Sequence, residues 1–272
     1  MLKDITLGQY YQTDSILHRL DPRVKLAGTL VYLISLFLFK NITVYIAAIL
    51  FLGFLIHLSK VPFRFIARGL RPVILLLLIT AGFNLFLTPG EEWFGLGAIS
   101  ISKEGAGNAF YTVLRLILLI FGSSLLTLTT TPNRLTDGLE KSLKPLQALK
   151  VPVHEISMMI SIALRFIPIL MEETDKIMKA QMARGADFES GNIVRKVKAL
   201  IPLLIPLFVS AFRRANDLAM AMEARCYRGG EGRSKMKPLK YARRDAAAYS
   251  VLFFYLLLLI GVGKAFPIHL IR

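Results

Sequence analysis

Two arginines stand in one repeated frame, forty-one residues apart. Ala180, Ala183, Arg184 and Gly185 lie in IMKAQMARGADF (177–188); Ala221, Ala224, Arg225 and Cys226 lie in LAMAMEARCYRG (218–229). A guanidinium is a planar fork that grips a carboxylate through two parallel hydrogen bonds. A positive charge near a helix C-terminus also complements the macrodipole by about 0.3–1 kcal/mol. On that plainer reading, Gly185 and Gly229-Gly230 are only stop signals. Macrodipole complementation asks for no small neighbours, however, and both copies keep Ala before the arginine and a small residue after it. The frame fits a helix end that enters a groove with only its guanidinium projecting. Both copies follow helices that begin apolar, so they are expected together at one end of the protein, within reach of a soluble partner.

The elements that carry these ends are set by composition. Of 272 residues, 54% are hydrophobic and 19% charged, a balance outside the range of soluble domains. Apolar runs close to the ~20 residues needed to cross a bilayer recur along the chain. Five spans are expected: 26–39, 42–59, 72–87, 110–130 and 246–263. The chain then divides into a membrane part (1–130) with four spans, a cytoplasmic or interfacial segment (131–244), and a last span with the C-terminus (245–272). The fold class is all-α, a polytopic membrane protein. Thr131 as N-cap and Pro132 at the first helical position open the middle segment. Leu135, Leu139, Leu143, Leu146 and Leu149 follow at helical spacing. Two long helical stretches then end in the arginine frames. Their apolar stretches contain Arg165 and Pro168, or run only about fourteen residues, roughly 21 Å of helix. They therefore read as interfacial helices, or as helices that dip in from the cytoplasmic side, with a short spanning hairpin as the alternative. Residues 1–23 are polar and the first apolar run lacks a small-residue cleavage pattern, so no cleavable leader is expected.

Charge sets the orientation. The loop 60–71 holds Lys60, Arg64, Arg68 and Arg71 with no acid, whereas 88–109 holds Lys103 against Glu91, Glu92 and Glu104. The first loop belongs in the cytoplasm and the second outside, with the N-terminus cytoplasmic. Lys264 and Arg272 run mildly against that rule. The net charge of +16 serves topology and anionic lipid, since the basic residues flank the apolar runs; nucleic-acid binding is not expected.

Absences narrow the function. No phosphate-cradling Gly-x-x-x-x-Gly-Lys loop, His-Glu-x-x-His or Gly-x-Ser-x-Gly occurs, so the chain reads as non-catalytic. One cysteine and four scattered histidines supply no metal site, and no cofactor is expected on this chain. The spans hold no acid in their interiors, unlike proton- or sodium-coupled carriers. Asn84 and Arg115 are the main polar residues there, and Arg115 reads as packing within the bundle. Ala211, Ala215 and Ala219 recur at i+4 and allow close helix crossing.

Together SILHRLDPRVKL (15–26), ALRFIPILMEETDKIMKAQMARGADF (163–188) and IPLLIPLFVSAFRRANDLAMAMEARCYRGG (201–230) resemble the transmembrane T component of energy-coupling factor (ECF) transporters, the vitamin and metal uptake systems of prokaryotes. The resemblance covers essentially the whole chain. It implies a multi-pass protein of the prokaryotic plasma membrane whose two motifs dock on two ABC-type ATPase subunits. Those partners hold ATP and Mg, and a small membrane S component binds the substrate. Carried over, the docking residues are Ala183, Arg184, Gly185, Ala224, Arg225 and Cys226; Cys226 stands where the family often has Gly. The apolar helix halves would face the S component, with Met158, Met159, Pro168, Pro202 and Pro206 giving an adaptable, bent surface. The rival expectations are a stand-alone secondary transporter and a membrane scaffold with no ATPase partner.

Overall fold

Lipid offers no partner to a backbone amide, so each apolar run must close its hydrogen bonds within itself. In the computed structural model each of them does so as a helix. The structure describes residues 10–38, 41–89, 92–96, 99–186, 188, 193–230, 236 and 238–265. Expectations that rest on Lys3, Lys40, Glu91, residues 232–235 and Arg272 lie outside these residues. The elements are α1 (Pro22–Leu38), α2 (Ile42–Ser59), α3 (Phe63–Arg68), α4 (Ile74–Leu87), β1 (Glu92–Leu96), β2 (Ile99–Ser102), α5 (Lys103–Thr129), α6 (Pro132–Ser142), α7 (Val153–Ala183), α8 (Ile193–Ala224) and α9 (Arg243–Ala265). They form two compact units, one from 10–141 with 239–265 and one from 142–238.

In the first unit α5 packs on α1 and α4, while α9 packs on α1 and α2. Its buried centre joins Tyr32 and Leu36 of α1, Tyr45, Ala48 and Leu52 of α2, Leu118 and Leu125 of α5, and Tyr255 and Leu259 of α9. The Phe51 and Tyr255 rings stack with centroids 4.1 Å apart. Arg115 packs inside this bundle: its Nε donates to the Tyr45 hydroxyl at 2.9 Å and its guanidinium lies over Phe37. The outward faces stay greasy, with Leu75, Leu78 and Phe83 of α4 well exposed, as a lipid-facing surface requires.

The segment before α1 is a polar knot. The Tyr11 N–H donates to Leu128 O at 2.9 Å, and Lys25 Nζ donates to Thr129 O at 2.8 Å. Both bonds satisfy carbonyls orphaned at the C-terminus of α5. The Asp245 carboxylate accepts from the Asp21 N–H at 2.9 Å and the Ala242 N–H at 2.7 Å, tying the starts of α1 and α9 together. Arg23 grips Asp21 with two bonds. Burial pushes the Asp21 carboxyl up, and the Arg23 bonds outweigh it, leaving the group below the usual carboxylate value.

Several boundaries differ from expectation. The basic stretch 60–71 contains α3, and 88–109 contains the β1–β2 hairpin. The helix expected from 110 begins at Lys103, because the Ser102 hydroxyl accepts from the Gly105 N–H and caps it. The leucine stripe 135–149 is not one helix. Pro145 lacks an N–H and disfavours helix at the residue before it. α6 accordingly stops at Ser142, and a separate 3-10 turn runs Lys144–Leu149. By length and composition six stretches among the described residues can cross a bilayer: Ile42–Ser59, Phe63–Leu87, Lys103–Thr129, Val153–Ala183, Lys198–Ala224 and Arg243–Lys264. Four coincide with expected spans, α7 and α8 are added, and α1 with 17 residues falls just short of that length.

His18 gives the knot a pH dependence. Its Nε2 faces Tyr11 O at 3.0 Å and must donate, so Nδ1 accepts from the Ser15 hydroxyl at 2.7 Å, which is the neutral ring. Burial lowers its pKa below the ordinary value. The folded state thus resists protonation, and its stability is present above about pH 6.5 and lost as pH falls through the lowered value. Thermal unfolding in detergent should fall in midpoint between about pH 7 and pH 5, and His18→Gln should flatten that slope. An unchanged slope in the variant would assign the acid sensitivity elsewhere.

Candidate docking site

The two arginine frames end two helices of nearly equal length, 31 residues in α7 and 32 in α8. Their last residues, Ala183 and Ala224, are again forty-one apart, so each frame ends its helix at the same position. Both ends close in the same way. At the first, the Ala186 N–H donates to Gln181 O and the Gly185 N–H to Met182 O, each at 3.0 Å. At the second, the Tyr227 N–H donates to Met222 O at 3.0 Å and the Cys226 N–H to Glu223 O at 2.8 Å. This is the six-to-one, five-to-two pattern of a Schellman end, with each arginine as the C-cap.

That pattern gives the small residue after the arginine a physical reason. The position after the cap is left-handed: φ is +89° at Gly185 and +56° at Cys226. A Cβ at Gly185 would meet nothing within 4 Å, so backbone conformation, not space inside this chain, selects glycine there. Cys226 accepts the strain that Gly185 avoids. The stop signal of α8 is therefore Cys226, three residues before the expected Gly229-Gly230. Gly230 itself lies against α7, where a Cβ would come within 2.2 Å of the His154 ring.

Both arginines are exposed, and neither guanidinium has an ion-pair or hydrogen-bond partner among the described residues. Between the helices, Glu173 Oε2 accepts from Arg214 Nη2 at 2.6 Å and its Oε1 accepts from the Ser210 hydroxyl. Farther along, Gln181 Nε2 donates to Pro202 O at 3.4 Å. Residue numbers rise on α7 as they fall on α8, so the pair is antiparallel. The two arginines therefore mark opposite ends of the helix pair. Beside Arg225 a groove of about 590 Å³ opens, lined by Met158, Ser161, Arg165, Tyr227 and Arg228 among others, with no acidic side chain in its wall.

A family model described as CbiQ, cobalt transport protein, matches residues 13–237. The chain belongs to this family. Among relatives named energy-coupling factor transporter transmembrane protein EcfT, the one from Clostridium kluyveri is 55% identical over 250 residues, 91% of this chain and 93% of its own. The relative from Thermosediminibacter oceani is 52% identical over 248 residues, 91% and 94% of the two chains. That from Bacillus subtilis is 48% identical over 248 residues, with the same coverage. This CbiQ-family chain is thus a multi-pass protein of a bacterial transporter family.

The other named residues divide. Met158 is half-buried and lines the groove beside Arg225. Met159 is exposed, as are Pro168, Pro202 and Pro206, all three inside helices. On the apolar half of α8, which the sequence marks as a partner-facing surface, Ile201, Leu204, Ile205, Phe208 and Phe212 stand exposed in one stripe. Its signal was the i, i+4 recurrence within LIPLLIPLFVSAF. Ala211, Ala215 and Ala219 line a groove of about 270 Å³ with Ile162, Phe166 and Leu170 of α7.

Cys226→Gly should relieve left-handed strain and raise the thermal midpoint, while Gly185→Ala should introduce the same strain and lower it. Each change is worth about 1 kcal/mol. Scanning calorimetry in detergent measures both, and equal midpoints across the three proteins would deny the backbone argument.

Proposed function

We propose that this chain is the membrane coupling subunit of an ECF-type importer. Two ABC-type ATPase subunits dock on Arg184 and Arg225 from the cytoplasm, hydrolyse Mg·ATP, and drive the α7–α8 pair. The pair passes the motion to a substrate-binding membrane subunit through its apolar face, for uptake of a vitamin or other micronutrient. The observation that carries this reading is the pair of matched helix ends: two arginines, identically capped, exposed, and without a partner among the described residues. Family membership and the stripe on α8, an apolar surface awaiting a membrane partner, support it. The chain supplies no catalytic group of its own.

The antiparallel arrangement bears on how α7 and α8 meet the bilayer. Were the pair to cross upright, its two arginines would emerge on opposite faces, and soluble ATPases could reach only one. Lying along the cytoplasmic surface presents both. The amphipathic character of α7 and α8, against the nearly uniform apolarity of α2, favours that placement. A membrane-impermeant thiol reagent should label native Cys226 from the cytoplasmic side. In a Cys226→Gly background it should label Lys179→Cys from that side too. Labelling of the two sites from opposite sides would rule out the surface-lying pair.

Docking is tested by affinity purification of the assembled complex. An arginine–carboxylate pair desolvated in a socket loses about 2–5 kcal/mol when one member is removed, weakening binding roughly thirty- to several-thousand-fold. Arg184→Glu and Arg225→Glu should each deplete ATPase subunits and substrate uptake, and the double variant should abolish both. Full ATPase content with normal uptake in both single variants would reduce the arginines to helix ends. Flux through the chain reconstituted alone would instead favour a stand-alone transporter.

A further inference from the structure

The repeat has a geometric consequence at Glu173 and Arg214. They are forty-one residues apart, so they occupy equivalent positions of the two helices. In an antiparallel pair of equivalent helices, equivalent residues come together only on the local two-fold axis. Their 2.6 Å contact places that axis through the ion pair. Arg184 follows Glu173 by eleven residues, and Arg225 follows Arg214 by eleven. At 1.5 Å per residue the two arginines end equal arms of about 16 Å, measured from one point.

The surroundings of that point differ on its two sides. Toward Arg184, Gln181 reaches Pro202 O. The equivalents of those two residues are Met222 and Ser161, and they line the open groove beside Arg225. One side is therefore bridged and the other splayed. Around the axis the neighbours are alanines and apolar side chains, which resist sliding only weakly. The fixed polar contact is Glu173, with Arg214 on one carboxylate oxygen and Ser210 on the other. A polar pin on the axis opposes translation, while the crossing angle is held, among the described polar contacts, only by the long Gln181–Pro202 bond on one side.

We propose that Glu173, Arg214 and Ser210 are positioning residues that form the pivot of the α7–α8 pair. They hold the two arginine-tipped arms at equal length while the angle between them changes. Resting on the coupling reading above, this assigns the pair its mode of motion: sockets that approach or part turn the arms, and the pin prevents the force from being lost as sliding.

The test separates pivot from docking. Spin labels at Lys179→Cys and Met220→Cys, in a Cys226→Gly background, sit six residues beyond Glu173 and Arg214. Pulsed dipolar spectroscopy on the detergent-solubilised chain should give a narrow distance distribution. Glu173→Gln and Arg214→Leu should broaden it, and the exchanged pair Glu173→Arg with Arg214→Glu should restore it. In the complex reconstituted with its ATPases and a substrate-binding subunit, Glu173→Gln should retain full ATPase content. Substrate moved per ATP hydrolysed should fall about tenfold and recover in the exchanged pair. Unchanged distances in both single variants would overturn the pivot, whatever the docking result. Broadened distances with transport per ATP intact would overturn its role in coupling. If no ATPase is bound even by the unmutated chain, the docking reading fails while the distance measurement still decides the pivot.

Discussion

Equivalent residues of an antiparallel helix pair can touch only where the helices cross, and most of the second unit follows from that constraint. A duplicated helix would bring like against like on the axis. Here the equivalent positions hold Glu173 and Arg214, so the pair on the axis is attractive and not a like one. Everything else in the repeat is measured from there: equal helix ends, equal caps and equal arms. In the proposed coupling role this geometry matches a pseudo-symmetric pair of ATPases, since a two-fold axis relates both the helices and the sockets they would enter.

The first unit obeys a different constraint. Its helices meet lipid on their outer faces, so polarity is withdrawn to their ends and to a few internal contacts. Asp245 and Lys25 satisfy backbone groups that the starts and stops of helices leave without partners. His18 completes the knot as a neutral ring with both nitrogens engaged. Each buried polar atom left open would be costly in this setting, which is why the segment 15–26 is so densely bonded. Arg115 follows the same logic within the bundle. Its charge is shared with the Tyr45 hydroxyl and the Phe37 ring, so the one strongly polar group of α5's apolar stretch serves packing.

How much of this could be read from sequence depended on the length of the pattern. Apolar runs gave the helices of the bundle, because lipid leaves such a run no other way to satisfy its backbone. The arginine frames were visible as a repeat, and the family resemblance rested on them. Their relative placement was not visible. Sequence spacing records how far each arginine lies along its own helix, but the antiparallel return that sends them apart is a tertiary fact. Local chemistry hid the boundaries: Ser102 starts α5 early, and Pro145 divides a leucine stripe whose spacing alone suggested one helix. The pivot was hidden differently. Glu173 and Arg214 are ordinary charges in charged stretches until the forty-one-residue offset and the crossing are considered together.

The contrast between the pivot and the tips shows how one side-chain type serves two ends. Arg214 spends its guanidinium inside the chain, on Glu173, and holds two helices in register. Arg184 and Arg225, eleven residues on from the crossing, have no partner among the described residues. An arginine already paired at home would have to surrender that bond on docking, and the exchange would return little. An exposed one loses only water and side-chain freedom, so nearly all of a carboxylate's attraction inside a dry socket is available for binding. The Schellman end adds direction. It stops the helix at the arginine and turns the chain aside within two residues, leaving the guanidinium as the last large group on the arm. Strain at Cys226 is accepted at one tip and absent at Gly185 on the other, so the two tips share a backbone path while presenting different surfaces. In the proposed role, sockets that are related without being identical would meet ends of the same kind.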